Sequence, residues 1–167
     1  YWKVKNFIFK FSHFKSIKII YQIMSVSDRL KALREEKAAT NLNAAEIFLA
    51  ENATKQGVVV LSSGLQYQIL VEGNGERPAL HHVVTCHYHG TLISGEVFDS
   101  SVKRGRPASF PVNGVIKGWV EALQLMPLGS KWRLFLHPNL AYGDKQVSAL
   151  IGPNCSLIFD VELISFQ

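Results

Sequence analysis

VTCHYHGTLISGEVFDSSVKRGRPASFPVNGVIKGW, residues 84–119, is the stretch whose reading decides the fold. Val83 to Leu92 alternates like a strand, and Ser94-Gly95 breaks it in the manner of a hairpin turn. Phe110 to Val112 is short and extended, and Val115 to Leu125 reads as one short helix with Trp119, Leu123 and Met126 on one face. Three clusters stand out: His87-Tyr88-His89-Gly90, Val97-Phe98-Asp99-Ser100-Ser101 and Gly114-Val115-Ile116-Lys117-Gly118-Trp119. A fourth, Leu140-Ala141-Tyr142-Gly143, follows downstream. Aromatic side chains with a few polar groups among them point to an apolar pocket for a small ligand or a peptide.

Outward from this segment, strands outnumber helices. Leu65, Tyr67 and Ile69 alternate with polar residues, Gly73-Asn74-Gly75 marks a turn, and Lys131–Leu136 and Ser156–Ile164 are further alternating strands. Val58 to Leu61 is β-branched and extended, while Pro127 and Gly129 end the short helix. Upstream, residues 27–56 read as helix, with Ser27-Asp28 as the start signal and Leu30, Leu33, Ala38, Leu42, Ala45 and Leu49 as an apolar stripe. Asn41-Leu42-Asn43 is a point where that helix could weaken or split, and Gly57 is its stop. The expected class is α+β: an antiparallel sheet packed on one short helix and preceded by an N-terminal helix.

Composition narrows the function classes. With 47% hydrophobic and 19% charged residues, the chain is globular in character. The net charge of +5 hints at nucleic acid, but its location argues against that. Lys3, Lys5, Lys10, Lys15 and Lys18 stand in an acid-free segment, and beyond residue 23 basic and acidic residues balance. Residues 1–23 contain no apolar run of spanning length and no secretory cleavage pattern. They are read here as a disordered or non-native tail, with Met24 as the start. A targeting or membrane-surface role is the alternative. Cys86 and Cys155 lack CxxC spacing and read as free thiols.

Each candidate has a plainer reading beside it. Trp119, Phe98 and Phe159 read as core as readily as pocket wall. Asp99 could cap the turn at Ser100-Ser101. His87 and His89 share a strand face with His81 and His82 nearby, yet no carboxylate or thiolate completes a metal set, so no metal is expected. Arg104 and Arg106 read as solvated loop charges. No serine sits in a GxSxG context.

From about Ile47 onward the chain resembles the FKBP-type peptidyl-prolyl cis-trans isomerases, in particular their bacterial Mip-like branch. The resemblance rests on FLAENATKQG, SGLQYQIL, the 84–119 segment, EALQLMPLGSKWRL, LAYG and LIFDVEL. It implies a five- to six-stranded antiparallel half-barrel wrapped around one short helix. It divides the chain into the tail 1–23, a helical linker 24–57 and an isomerase domain 58–167. Trp119 would be the pocket floor, with Tyr88, Phe98, Val115, Ile116, Tyr142, Ile151 and Phe159 as lining and Asp99 at the wall. Tyr88, Asp99 and Tyr142 would be the catalytic set. The Ile116 N–H and the Tyr142 hydroxyl would bind carbonyls of an Xaa-Pro peptide.

The resemblance also implies proline-containing peptides and unfolded proteins as substrates, macrolides such as rapamycin and tacrolimus as ligands, and no cofactor. The expected protein is a cytoplasmic monomer, with periplasmic or outer-membrane placement left open, that neither binds nucleic acid nor spans a membrane. Residues 144–155 depart from the family pattern, with Gln146 and Ser148 where glycine is common and Gly152-Pro153 for Pro-Pro. The alternative function is therefore a non-catalytic module that holds proline-containing segments in the same pocket.

Overall fold

The computed structural model describes residues 25–167, so the expected tail at 1–23 lies outside the described residues. Helix α1 runs from Val26 to Asn52, with Asp28 in its first turn. Its cap is Ser25 and not Ser27. The Ser25 hydroxyl accepts the Asp28 N–H at 3.2 Å and donates to the Asp28 carboxylate at 2.7 Å, so it caps one orphan donor and ties the two side chains together. The helix passes through Asn41-Leu42-Asn43 without a break. Of the expected stripe, Ala45 and Leu49 are buried, but Leu30 and Leu33 are 63% and 49% exposed. Spacing alone does not bury a face where no apolar surface meets it. Among the described residues, no helix is long and apolar enough to cross a membrane.

The chain divides into two units, and Lys37–Gln167 forms the larger. It contains seven strands, where five or six were expected: β1 Val58–Val60, β2 Gln66–Val71, β3 Val83–Leu92, β4 Val97–Ser100, β5 Ala108–Pro111, β6 Lys131–Leu136 and β7 Leu157–Phe166. The strand not read from the sequence is β4, a four-residue segment at one end of the pairing order. The sheet order is β1-β2-β6-β7-β3-β4, with β5 also on β3, and the pairings are antiparallel. Helix α2, Lys117–Leu125, lies between β5 and β6 in the chain.

Period-2 alternation builds the core. β3 turns Val84, Cys86 and Tyr88 inward, and β7 does the same with Leu157, Phe159, Val161 and Leu163. Trp132, Leu134 and Leu136 of β6 join them, and α2 adds Trp119, Ala122 and Leu123, followed by Met126. Burying each large side chain stabilises the fold by about 1.5–3 kcal/mol. The thiol of Cys86 is pushed up to about 12 by burial, which leaves it inert.

Residues of α1 and the sheet are joined by a buried amide pair. Asn52 donates to the Gln66 side chain at 2.9 Å, Gln66 donates to the Leu49 carbonyl at 2.8 Å, and Phe48 packs on Phe135. Each buried amide thus finds its partner, so their burial carries little desolvation cost.

Gly73 is needed for a close approach and not for a turn. A Cβ there would stand 2.4 Å from the Leu128 carbonyl oxygen and 2.5 Å from the Ser130 nitrogen. Backbone cannot move aside as a side-chain end can. Gly73→Ala is expected to cost roughly 1–3 kcal/mol, the usual range for overpacking. An unchanged urea midpoint for the variant would contradict this.

Candidate active site

The partner of β3 changes midway. Val83–Cys86 pair with β5 and His89–Thr91 pair with β4, which leaves Tyr88 at the gap. Buried Ser101 fills it. Its hydroxyl accepts the Tyr88 N–H at 2.7 Å, and its own N–H donates to the Tyr88 carbonyl at 3.0 Å. The ladder is thus satisfied by a residue beyond β4, and the loop from Val102 to Pro107 is free to fold back towards Tyr88 and Asp99.

That loop carries Arg104, which is exposed as the sequence implied but is also paired. Its guanidinium donates to the Asp99 Oδ1 and, at 2.7 Å, to the Tyr88 hydroxyl, and lies 5.5 Å from the Tyr88 ring centre. Tyr88 in turn donates to Asp99 Oδ2 at 2.5 Å. A five-residue separation from Asp99 was the only sign of this in the sequence, and it is too common to be read. Burial works to raise the Asp99 carboxyl, but the hydrogen bonds from Tyr88 and Arg104 outweigh it and hold the group below its ordinary range. Burial pushes the Tyr88 phenol up, and its bond to Asp99 adds to this. The result is an ionised carboxylate beside a protonated phenol.

The aromatic residues converge on Trp119. Its ring meets Tyr88, Phe110 and Phe159 edge-on, at centroid distances of 5.6, 5.9 and 5.3 Å. Phe98 meets Phe159 in the same way at 5.4 Å. Gly90 makes that pair possible, because a Cβ there would lie 2.6 Å from Phe98 Cζ and 3.0 Å from Phe159. At the start of α2, Ile116 is the N-cap residue with an extended backbone. Its N–H has no acceptor among the described residues, as expected for an orphan donor at a helix start.

These residues enclose one cavity of about 620 Å³. All nine residues expected from the sequence stand on it: Tyr88, Phe98, Asp99, Val115, Ile116, Trp119, Tyr142, Ile151 and Phe159. Phe110, Gly114, Val147 and Ser148 complete the lining, and of these Phe110 and Val147 were not singled out. Phe110 could have been found, since it is an inward aromatic on a strand beside β3. Tyr142 is 36% exposed and its hydroxyl bonds to no described residue, so it is an unspent donor at the rim. A second cavity, about 560 Å³, has His89, Arg133 and Asp160 in its lining. These three groups are already paired, Arg133 with Asp160 at 2.6 and 2.7 Å and His89 with Ser100 at 3.0 Å. His87 bonds Ser101 at 3.1 Å, so neither strand histidine faces the aromatic cavity. Among the described residues, no group of three or more His, Cys, Asp or Glu could hold a metal ion.

Because its folded value is depressed, Asp99 adds stability above the unfolded carboxyl value of about 3.9, and this is lost as pH falls through the folded value. Asp99→Asn is therefore expected to lower the urea midpoint near neutral pH. The gap should close as the pH falls through the depressed folded value and Asp99 takes a proton. A gap of equal size in acid would show that Asp99 acts by shape and not by charge.

Comparison with known proteins agrees with this geometry. Residues 74–164 match the family model of the FKBP-type peptidyl-prolyl cis-trans isomerase. Residues 11–69 match the domain amino terminal to FKBP-type peptidyl-prolyl isomerase. The outer membrane protein MIP of Legionella longbeachae is 52% identical over 132 residues, covering 79% of this chain and 57% of the relative. An FKBP-type 22 kDa peptidyl-prolyl cis-trans isomerase of Escherichia coli is 47% identical over 142 residues, covering 85% and 69%. The crystal structure of FkpA from Escherichia coli superposes with a TM-score of 0.82 at 38% identity, covering 92% of this chain and 70% of that one. The chain spans little more than half the length of relatives such as the Legionella protein. Fold, cavity and both matched segments lead to one conclusion: the chain belongs to the FKBP-type peptidyl-prolyl cis-trans isomerase family, in its Mip-like branch.

Proposed function

We propose that this protein accelerates rotation about Xaa-Pro peptide bonds in proline-containing peptides and unfolded proteins. The observation that carries the reading is the aromatic cavity built on Trp119, with ionised Asp99 at its wall and two unspent donors, Ile116 N–H and Tyr142 hydroxyl, in its lining.

The chemistry needs no nucleophile, because no bond is broken. The obstacle is amide resonance, a barrier of ~18–20 kcal/mol. A twisted amide has lost that resonance, so its carbonyl is less polar and its nitrogen more basic. An apolar cavity penalises the twisted form less than the planar one, and such differential stabilisation is what accelerates a reaction. The rings at Phe98, Trp119 and Phe159 suit a prolyl ring, with Val115 and Ile151 as aliphatic wall. Ile116 N–H and Tyr142 hydroxyl hold carbonyls of the flanking chain. Tyr88 keeps its proton and spends it in the hydrogen bond to Asp99, so it acts by fixing that carboxylate. Asp99 orients and polarises the amide, and no proton is removed from the substrate. Macrolides such as rapamycin and tacrolimus, which present a large apolar face with carbonyls, are suited to the same cavity.

The test is cis-to-trans isomerisation of a Leu-Pro peptide by the full chain, with and without rapamycin. Acceleration that rapamycin abolishes is the expected result. Saturable binding without acceleration would leave a holding module instead. Two variants refine the assignment. Tyr142→Phe removes one hydrogen bond, worth about 0.5–1.5 kcal/mol, and should lower kcat/KM roughly two- to tenfold. Asp99→Leu should lower it by about tenfold or more, for a loss of ~1.4 kcal/mol or greater. Full activity in both variants would remove these residues from the mechanism.

A further inference from the structure

The loop that closes the cavity is fastened to helix α1. Val147, Ser148 and Ile151 line the cavity, and the loop folds upon Ile151. The Ile151 carbonyl accepts the N–H groups of Val147 at 3.0 Å and Ser148 at 3.3 Å, while the Ser148 hydroxyl accepts the Ile151 N–H at 3.0 Å. Ile151, Gly152 and Pro153 are buried, although the chain just before them is exposed.

What buries the last two is the middle of α1. Asn41 donates from Nδ2 to the Pro153 carbonyl at 2.7 Å, with the Cys155 sulfur 3.5 Å from the same nitrogen. Asn154 donates to the Ala38 carbonyl at 3.3 Å. A Cβ on Gly152 would come within 3.2 Å of Lys37 Cε and 3.5 Å of Asn41 Nδ2, so a larger residue would crowd the helix. Asn154 itself holds a left-handed backbone, φ 55°, and its N–H closes the loop base on the Gly143 carbonyl at 2.7 Å.

We infer that Asn41 is a positioning residue for the isomerase cavity. Through Pro153 it sets where Ile151, and with it the Val147–Ser148 wall, stands over a bound peptide. The inference rests on the isomerase reading of the cavity. On that reading Val147 and Ser148 carry no group assigned to the rotating amide, so they would hold planar and twisted forms alike. Loss of such uniform binding raises KM and leaves kcat in place.

The experiment compares the full-length protein with Asn41→Ala and Asn43→Ala. Both substitutions raise helix propensity, so neither weakens α1 by itself. Asn43 is exposed and serves as the matched control. Asn41→Ala is expected to raise KM for a Leu-Pro peptide about two- to tenfold, the loss of one hydrogen bond, with kcat little changed. It should also speed amide exchange at Val147 and Ser148, while Asn43→Ala does neither. Unchanged KM and unchanged exchange in Asn41→Ala, or equal effects in both variants, would overturn the inference. If the unaltered protein fails to accelerate the peptide, the isomerase reading falls, and the exchange data still decide whether Asn41 holds the loop.

Discussion

The contact of Trp119 with three edge-on rings is the constraint on which the site depends. Helix α2 has only nine residues, too short to be stable alone, so its position comes from what its inner face meets. Tyr88 reaches Trp119 from β3, Phe110 from β5 and Phe159 from β7. Edge-to-face pairs of this kind contribute about 0.5–1.5 kcal/mol each beyond their buried area. They also fix the ring planes, so the floor of the cavity is rigid. Gly118 lets the helix approach: a Cβ there would overlap Leu136 Cδ2, at 1.8 Å. The core and the cavity wall are therefore the same set of side chains, and the choice between those two readings of Trp119 dissolves.

The polar side of the cavity is set by a defect in the sheet. β3 cannot pair with β4 and β5 at the same residues, so the ladder is interrupted at Tyr88. Ser101 satisfies the freed backbone groups, and the departing loop brings Arg104 back onto Tyr88 and Asp99. A carboxylate placed among aromatic rings would by itself tend to take a proton. Two donors keep it ionised. The same constellation holds Asp99 still, which suits a group whose work is orientation.

Helix α1 ties together the two sides of the larger unit. Its last turns are joined to the sheet by the Asn52–Gln66–Leu49 bonds, and its middle holds the loop over the cavity through Asn41. Polar residues do both jobs. The apolar stripe counted along the sequence accounts for Ala45 and Leu49 but not for the contacts at 38 and 41.

The sequence by itself determined most of the strands, though not β4, because alternation of period two needs no knowledge of partners, and it determined the short helix with its buried face. The nine cavity residues followed from the resemblance of its ordered motifs to the FKBP-type family, not from periodicity or spacing. Three things were decided only in the tertiary structure. Arg104 looks like any loop arginine until Ser101 closes the β3 gap and turns the loop inward. Asn41 looks like a weak point in a helix until Pro153 arrives from 112 residues away. Leu30 and Leu33 share the helical spacing of Leu49, yet they remain exposed. The physical reason is common to all three. Periodicity records which face a side chain takes on its own element, whereas ion pairs, amide bonds and burial depend on what another part of the chain brings within a few ångströms.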